Sequence, residues 1–585
     1  VSLTKARKPT PTFSTQPVVY RRDSRSLRRL DQAKNRLVLL AIGFCVAYGM
    51  LVFRLCDVAF VMPETPELSS EMALQPLNRN RLRGPIYDRN GELLASSIQT
   101  RSLFANPRLV KRFGADEVAS KLVEILPHLD EEKLRRDLNS DRAFVYIQRH
   151  LTPAQQEQLN ALGVPGLEFE EEEKRLYPHG SLFAHVLGYV DIDNKGLAGV
   201  EKHFDQALRE EGEAVELSVD ARVQHILRDA LQEGIEEFQA IGAAGIIMDM
   251  QSGELLALAS LPDFDPNHPG DAPPENRYNR ATYGVYEMGS TFKTFTTAMA
   301  LHYGTTKMQE GYDARNPIRY AGHTIRDSHP EKRWLSVPEI FIHSSNIGTV
   351  KMVMEVGRER QKDFLKQLGL LDAIEFELPA TASPLVPSRW RDINMMTISY
   401  GHGISVTPMH LVRAVASLLG PGYLLQPTLM KNGNLLAEED SPRIVSQEVT
   451  RDLRRLMRAV VKFGTGSKAD AAGYRVGGKT GTAEKVKSGG YNEDDKLASF
   501  LGVFPSEEPR YAILVMVDEP RGNKSTYGYA TGGWVAAPIV GKVVEKMAPL
   551  YGIRPVYEVP IDSPRKANKR KKFDFQKDFL HAISF

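Results

Sequence analysis

The chain has 585 residues, of which 42% are hydrophobic and 25% charged. These are globular proportions and the length suits about two to four domains, which excludes a wholly disordered, collagen-like or polytopic membrane protein. The net charge of +2 hides a polarised layout: residues 1–36 carry +8, residues 562–585 carry +4, and the body between them is negative, a poor surface for nucleic acid.

Residues 1–36, rich in Arg, Lys, Pro, Ser and Thr, read as a disordered tail. Leu37–Phe53 (LVLLAIGFCVAYGMLVF) carries no charge and is flanked by Arg36 and Arg54. As a helix it spans roughly 26 Å, the short end of a membrane crossing. No small-x-small cleavage site follows it, and the basic flank predicts a cytoplasmic N-terminus and an exported body. Cys45 and Cys56 lie in or beside this segment. The body has no cysteine, which excludes a disulfide framework or a Cys-rich metal site and suits an oxidising compartment.

Past a linker at 57–82, Asp88-Arg89-Asn90-Gly91 marks a hairpin turn between two short strands. Helical stretches follow near 115–139 and 153–162, then a solvated acidic run at Glu168–Glu173 and a turn-rich stretch from Arg175 through Glu201. This Gly-punctuated block holds no nucleophile or metal cluster and reads as a structural or docking module. From Val215 a short strand runs into a long helix, and a strand hairpin turns at Gln251-Ser252-Gly253. Residues 289–302 predict a helix, with Phe292, Phe295 and Met299 on one face. Near the end, YRVGGKTGTAEKV and RYAILVMVDEP are strand-like. Strands at both ends with helices between them predict an α+β domain around an antiparallel sheet.

Three motifs carry the chemistry. In Ser290-Thr291-Phe292-Lys293 the spacing puts Ser290 and Lys293 on nearly the same side of a helix, and Gly289 permits a sharp entry that sets Ser290 at its positive end. Lys293 can take the serine proton if burial and a neighbouring cation hold it neutral. Other S-x-x-K copies, Ser2/Lys5 and Ser563/Lys566, sit in tail-like segments. In Ser344-Ser345-Asn346, Ser344 can relay a proton and Asn346 can hold the lysine and a substrate amide; taken alone the motif reads as a helix cap. In Lys479-Thr480-Gly481-Thr482, the glycines Gly477, Gly478 and Gly481 predict room for a substrate backbone added as an extra strand. Thr480 and Thr482 hydroxyls can grip a carboxylate, and the backbone N–H groups of Ser290 and Thr482 can form an oxyanion hole. The rival Lys487-Ser488-Gly489 reads as a hairpin tip.

The ordered set S-x-x-K, S-x-N, K-T-G is the signature of penicillin-binding proteins and serine β-lactamases. The sequence resembles the class B penicillin-binding proteins, peptidoglycan D,D-transpeptidases, over about residues 37–550. Arg83–Gly91, Arg175-x-Tyr-Pro-x-Gly180 and Gly199-Val-Glu201 resemble the family's pedestal, and Leu217–Asp220 the start of its transpeptidase domain. Ser-Ser-Asn, Tyr400-Gly-His-Gly403 and Val406-Thr-Pro408 resemble the septal, FtsI-type branch of alphaproteobacteria; Met288, His402 and His410 depart from its usual residues.

The resemblance implies a disordered cytoplasmic tail (1–36), one transmembrane helix (37–56), an elongated mixed α/β pedestal of the dimerisation type (57–212), a serine β-lactamase-like transpeptidase domain (213–550) and a C-terminal tail (551–585). It implies catalysis by Ser290, Lys293, Ser344, Asn346 and Lys479, substrate binding by Thr480, Gly481 and Thr482, and no metal or organic cofactor. Its implied partners are stem peptides ending in D-Ala-D-Ala, an amine acceptor, β-lactams, the inner membrane, a SEDS-type glycosyltransferase (the FtsW role) and other divisome proteins, with no nucleic acid. The alternatives are an elongation-type transpeptidase, a D,D-carboxypeptidase or β-lactamase using Glu377 as its water-activating base, and an inert scaffold or β-lactam sensor.

Overall fold

The computed structural model describes residues 42–50, 52, 82–431, 442–487 and 490–557, without the side chains of 486, 487 and 490–494. Residues 42–50 and 52 are helical and exposed. Most of the expected membrane segment, the linker and both basic tails lie outside the described residues. Among the described residues, no helix is long and apolar enough to cross a membrane.

The first sheet joins β1 (Ile86–Tyr87), β2 (Leu93–Ala105), β3 (Val145–Leu151), β4 (Leu167–Leu176) and β5 (Val215–Glu216). The hairpin at Asp88–Gly91 forms as expected: Asp88 Oδ1 accepts from Asn90 N, and Tyr87 pairs with Leu93. Its second strand is long rather than short, because β2 pairs with β1, β3 and β4 in turn. The acidic run forms β4, paired antiparallel along β2 from Leu167 to Leu176. Glu168, Glu170 and Glu171 stay exposed to water while the backbone completes a ladder. The expected helix over 115–139 is two, α1 (Ala115–Ile125) and α2 (Glu131–Leu138), the second begun by Asp130, whose side chain accepts from Lys133 N. Helix α3 (Pro153–Ala161) starts at a Thr152/Gln155 capping box. Strand β5 pairs in parallel with β1, so this sheet takes its last strand from the segment that leads into the next domain.

Three stretches distant in sequence, one of them the end of β4, meet in a buried cluster. Arg83 Nε donates to one oxygen of Glu201 at 2.6 Å and Arg175 Nε to the other at 2.7 Å, with all three side chains buried. The RG, RxYPxG and GVE motifs are thus one buried ion cluster.

Helix α4 (Ala221–Phe238) follows its Asp220 cap, and β6 (Gly242–Asp249) turns into β7 (Leu255–Leu261) as the sequence predicts. After a 3-10 turn at Gly289–Phe292 come α5 (Lys293–His302), four three-residue strands β8 (Gly311–Asp313), β9 (Ile318–Tyr320), β10 (His323–Ile325) and β11 (Trp334–Ser336), then α6 (Asn346–Val356), α7 (Pro408–Leu419) and α8 (Gln447–Phe463). Strands β12 (Gly477–Lys487), β13 (Gly490–Phe504) and β14 (Tyr511–Asp518) and helix α9 (Ala536–Met547) complete the domain. The second sheet runs β12-β13-β14-β6-β7, all antiparallel, with β12 at an edge.

The run YAILVMVD in β14 shows why the sequence is apolar without alternation. Tyr511, Ile513, Val515 and Val517 belong to one core with α4 and α9. Ala512, Leu514 and Met516 belong to the other, with α5, α7 and α8. Both faces are covered, so every residue is buried.

Candidate active site

Ser290 stands half-buried in the 3-10 turn that leads into α5. Phe292, Phe295 and Met299 anchor that turn and helix in the core. Gly289 is required twice. Its φ of +52° favours glycine. A Cβ there would also lie 2.5 Å from the Thr482 carbonyl oxygen. The Ser290 turn therefore rests on the backbone of β12 at Thr482. Gly289 N donates to the Gly401 carbonyl at 3.2 Å, tying the same turn to the Tyr400–Gly403 loop.

The two motif lysines converge on Ser344. Lys293 Nζ donates to the Ser344 carbonyl (2.5 Å) and to its Oγ (3.1 Å), and Lys479 Nζ donates to the same Oγ at 3.0 Å. Both lysines are buried. Burial, and then the Lys479 charge, push Lys293 well below the ordinary lysine range, against the pull of Asp327. Burial pushes Lys479 down to about 7. A neutral lysine amine has two N–H donors and one lone pair. The two bonds from Lys293 use both donors and leave the lone pair for an incoming proton. The Ser344 hydroxyl accepts two bonds, which leaves its own proton to be donated.

Ser345 caps α6, its Oγ accepting from Gly348 N at 3.0 Å, so the cap reading of this motif holds for its middle residue. Ser344 itself has φ +59°. Asn346 Nδ2 donates to the Arg326 carbonyl at 2.9 Å rather than touching Lys293. Its expected grip on the lysine is absent among the described contacts, because that carbonyl lies across the helix start and claims the amide.

The K-T-G strand differs from expectation in what its glycines do. A Cβ on Gly481 would lie 2.3 Å from Ser499 Oγ, 2.8 Å from the Met288 carbonyl and 2.9 Å from Thr291 Cγ2. One on Gly478 would meet the Phe500 ring at 2.4 Å, and one on Gly477 would meet α8 at 3.2 Å. The missing side chains make room for the protein's own helix, sheet and Ser290 turn, not for a substrate backbone. Strand addition remains open to β12 as an edge strand. Thr480 and Thr482 already have partners. Thr480 Oγ1 bonds Thr465 Oγ1 at 2.7 Å, and Thr482 Oγ1 accepts from Gly532 N at 3.1 Å, which leaves the Thr482 hydroxyl its proton. Thr465 and Gly532 were not found from sequence. Their signals were Gly464-Thr465-Gly466 after an amphipathic helix and the Gly532-Gly533 pair before α9. Lys487 pairs with Gly490 across β12 and β13, and the rest of the rival motif lies outside the described residues.

The three departures sit close by. Met288 is buried, and its carbonyl accepts from Thr291 Oγ1 at 2.8 Å. His410 donates from Nε2 to the Asp372 carbonyl (2.9 Å), so Nδ1 accepts from Thr407 Oγ1 (2.7 Å). Burial holds it at about 4, a neutral structural histidine. His402 packs on Tyr400, with ring centroids 5.2 Å apart, and burial and then the Lys293 charge lower its pKa. Glu377 accepts from Thr428 Oγ1 at 2.6 Å and from Leu429 N at 2.9 Å. These bonds hold it to the strand segment beside Ser218, whose N–H donates to the Leu429 carbonyl, and it serves packing rather than water activation.

A serine on a glycine-led turn, two buried lysines sharing a hydroxyl, and an edge strand beside them on an antiparallel sheet define a serine acyl-transfer enzyme of the penicillin-recognising fold. The chain matches the model of the penicillin-binding protein transpeptidase domain over residues 243–545 and that of the penicillin-binding protein dimerisation domain over 79–236, and it belongs to this family. It is 40% identical over 501 residues, 83% of this chain and 84% of the relative, to the probable peptidoglycan D,D-transpeptidase FtsI of Caulobacter vibrioides. It is 34% identical over 505 residues, 81% and 85% of the two chains, to the probable peptidoglycan D,D-transpeptidase PenA of Neisseria meningitidis. The fold is shared with the crystal structure of a peptidoglycan synthetase from Bifidobacterium adolescentis, with TM-score 0.63 and 22% identity, covering 82% of this chain and 97% of that one.

Proposed function

We propose that the chain is the septal peptidoglycan D,D-transpeptidase of its cell, working through an acyl-enzyme on Ser290. The observation that carries this reading is the Ser344 hydroxyl held between Lys293 and Lys479, 3.1 and 3.0 Å from their amines.

The Lys293 lone pair takes the Ser290 proton as Oγ attacks the carbonyl between the last two D-alanines of a donor stem peptide. The Ser290 and Thr482 N–H groups hold the oxyanion, and the Lys479 charge favours that anion. The C–N bond breaks, and the proton passes from Lys293 through Ser344 to the departing D-alanine amine. An acceptor amine then attacks the ester, returns its proton along the same path and forms the cross-link. Thr480 and Thr482 bind the donor's terminal carboxylate, and Gly481 keeps their strand against the nucleophile turn. Asn346 holds the substrate amide through its side-chain oxygen, its nitrogen being engaged. β-Lactams enter as D-Ala-D-Ala mimics and acylate Ser290.

The same reading places 1–36 in the cytoplasm and 37–56 across the inner membrane. The pedestal (57–212) and transpeptidase domain (213–550) are periplasmic, with a tail at 551–585. A SEDS-type glycosyltransferase and other divisome proteins dock on the pedestal and span. The 40% identity to a protein named FtsI supports the septal role over the elongation role.

The test is covalent labelling of the full chain in membranes by a fluorescent penicillin. Wild type labels at Ser290 by peptide mapping, and Ser290→Ala does not label while melting normally. Label retained by Ser290→Ala, or mapped to another serine, refutes the assignment.

A further inference from the structure

The segment between β10 and β11 carried no signal in the sequence, yet Asp327 within it holds the second motif in place. Ser345 Oγ donates to Asp327 Oδ2 at 2.8 Å, and Ile347 N donates to Oδ1 at 2.9 Å. Each carboxylate oxygen thus grips one side of Asn346. The preceding carbonyl, that of Arg326, accepts from Asn346 Nδ2 at 2.9 Å. Arg326 and Asp327 together clamp Ser345, Asn346 and Ile347.

The clamp matters because Ser344, next in line, sits at φ +59°. A non-glycine residue holds such a conformation only when its surroundings enforce it. Its carbonyl and hydroxyl must stay where both lysine amines reach them, and the main chain is tethered one residue away through Ser345.

Asp327 also brings charge. Lys293 faces Lys479 from β12, Ser344 from the start of α6, His402 from the Tyr400–Gly403 loop and Asp327 from the β10–β11 segment. Lys479 and His402 disfavour a proton on Lys293, and a carboxylate favours one.

We propose that Asp327 is a positioning residue of the acyl-transfer site: its carboxylate holds the Ser344–Ile347 turn against the two lysines and presents a negative charge to Lys293. The proposal rests on the acyl-enzyme reading above. Asp327 touches no reacting atom; it acts through Ser345 and through its field.

Asp327→Asn separates geometry from charge. The amide oxygen still accepts from Ile347 N, and the amide nitrogen can donate to Ser345 Oγ. With the charge gone, Lys293 loses its proton more readily, so the acid limb of the acylation rate moves to lower pH, by on the order of one unit. Asp327→Ala also removes both bonds and lowers the limiting rate about tenfold or more. The measurement is the second-order rate of acylation of the full-length protein by a fluorescent penicillin from pH 5 to 9. If Asp327→Ala fails to fold, Asp327→Asn decides. An Asp327→Asn profile with the wild-type midpoint overturns the proposal, whether or not its plateau falls, because a purely structural role moves only the plateau. Failure of the underlying reading shows separately, as wild-type label mapped away from Ser290.

Discussion

Replacing Gly481 by alanine tests what the K-T-G glycine does. The new Cβ would sit 2.3 Å from Ser499 Oγ, 2.8 Å from the Met288 carbonyl and 2.9 Å from Thr291 Cγ2. Ser499 can rotate away. The other two atoms belong to the Ser290 turn, and ordinary contact distance lies near 3.4 Å or more. The turn must retreat by about half an ångström, at an overpacking cost of about 1–3 kcal/mol. Misplacement of a reacting group by about 1 Å costs about a hundredfold in rate, so half of that predicts a loss of about tenfold. The assay is stopped-flow acylation by a chromogenic β-lactam over a range of concentrations, with a thermal melt as control. The loss should fall on the limiting rate. If the glycine instead admits a substrate backbone, the limiting rate stays within twofold of wild type and the apparent affinity falls, and the steric argument is refuted.

Two further substitutions test separate parts of the molecule. Lys293→Arg keeps a cation in the site but should abolish acylation, since a guanidinium does not give up its proton; a rate within tenfold of wild type would mean another group is the base. Glu201→Gln should destabilise the protein by about 3–5 kcal/mol in urea unfolding, because buried Arg175 loses its carboxylate and buried Arg83 keeps only Asp205. An unchanged midpoint would show that the cluster contributes nothing net.

Much was readable from the residues because it depends on short-range chemistry. The Asp88–Gly91 turn, the Asp220-capped helix and the hairpin at Gln251–Gly253 are each set by neighbours a few positions apart. The three motifs that meet around Ser344 were visible for the same reason: each is a set of residue types at fixed spacing. The edge position of β12, Thr465 behind Thr480 and Asp327 behind Ser345 were not legible. The meeting of Arg83, Arg175 and Glu201 could be suspected only as three separate turns.

Sequence alone determined the reaction class and the family. Tertiary structure decided how the chemistry is enabled: which hydroxyl joins the two lysines, why both amines lie below the ordinary lysine range, and whose atoms fill the space beside each glycine. The physical reason is range. Capping, turn geometry and side-chain type act over a few residues of chain and are written locally. Burial and Coulomb interactions depend on distance through space, and the separation of 135 positions from Ser344 to Lys479 is closed only by the folded sheet and helices around them.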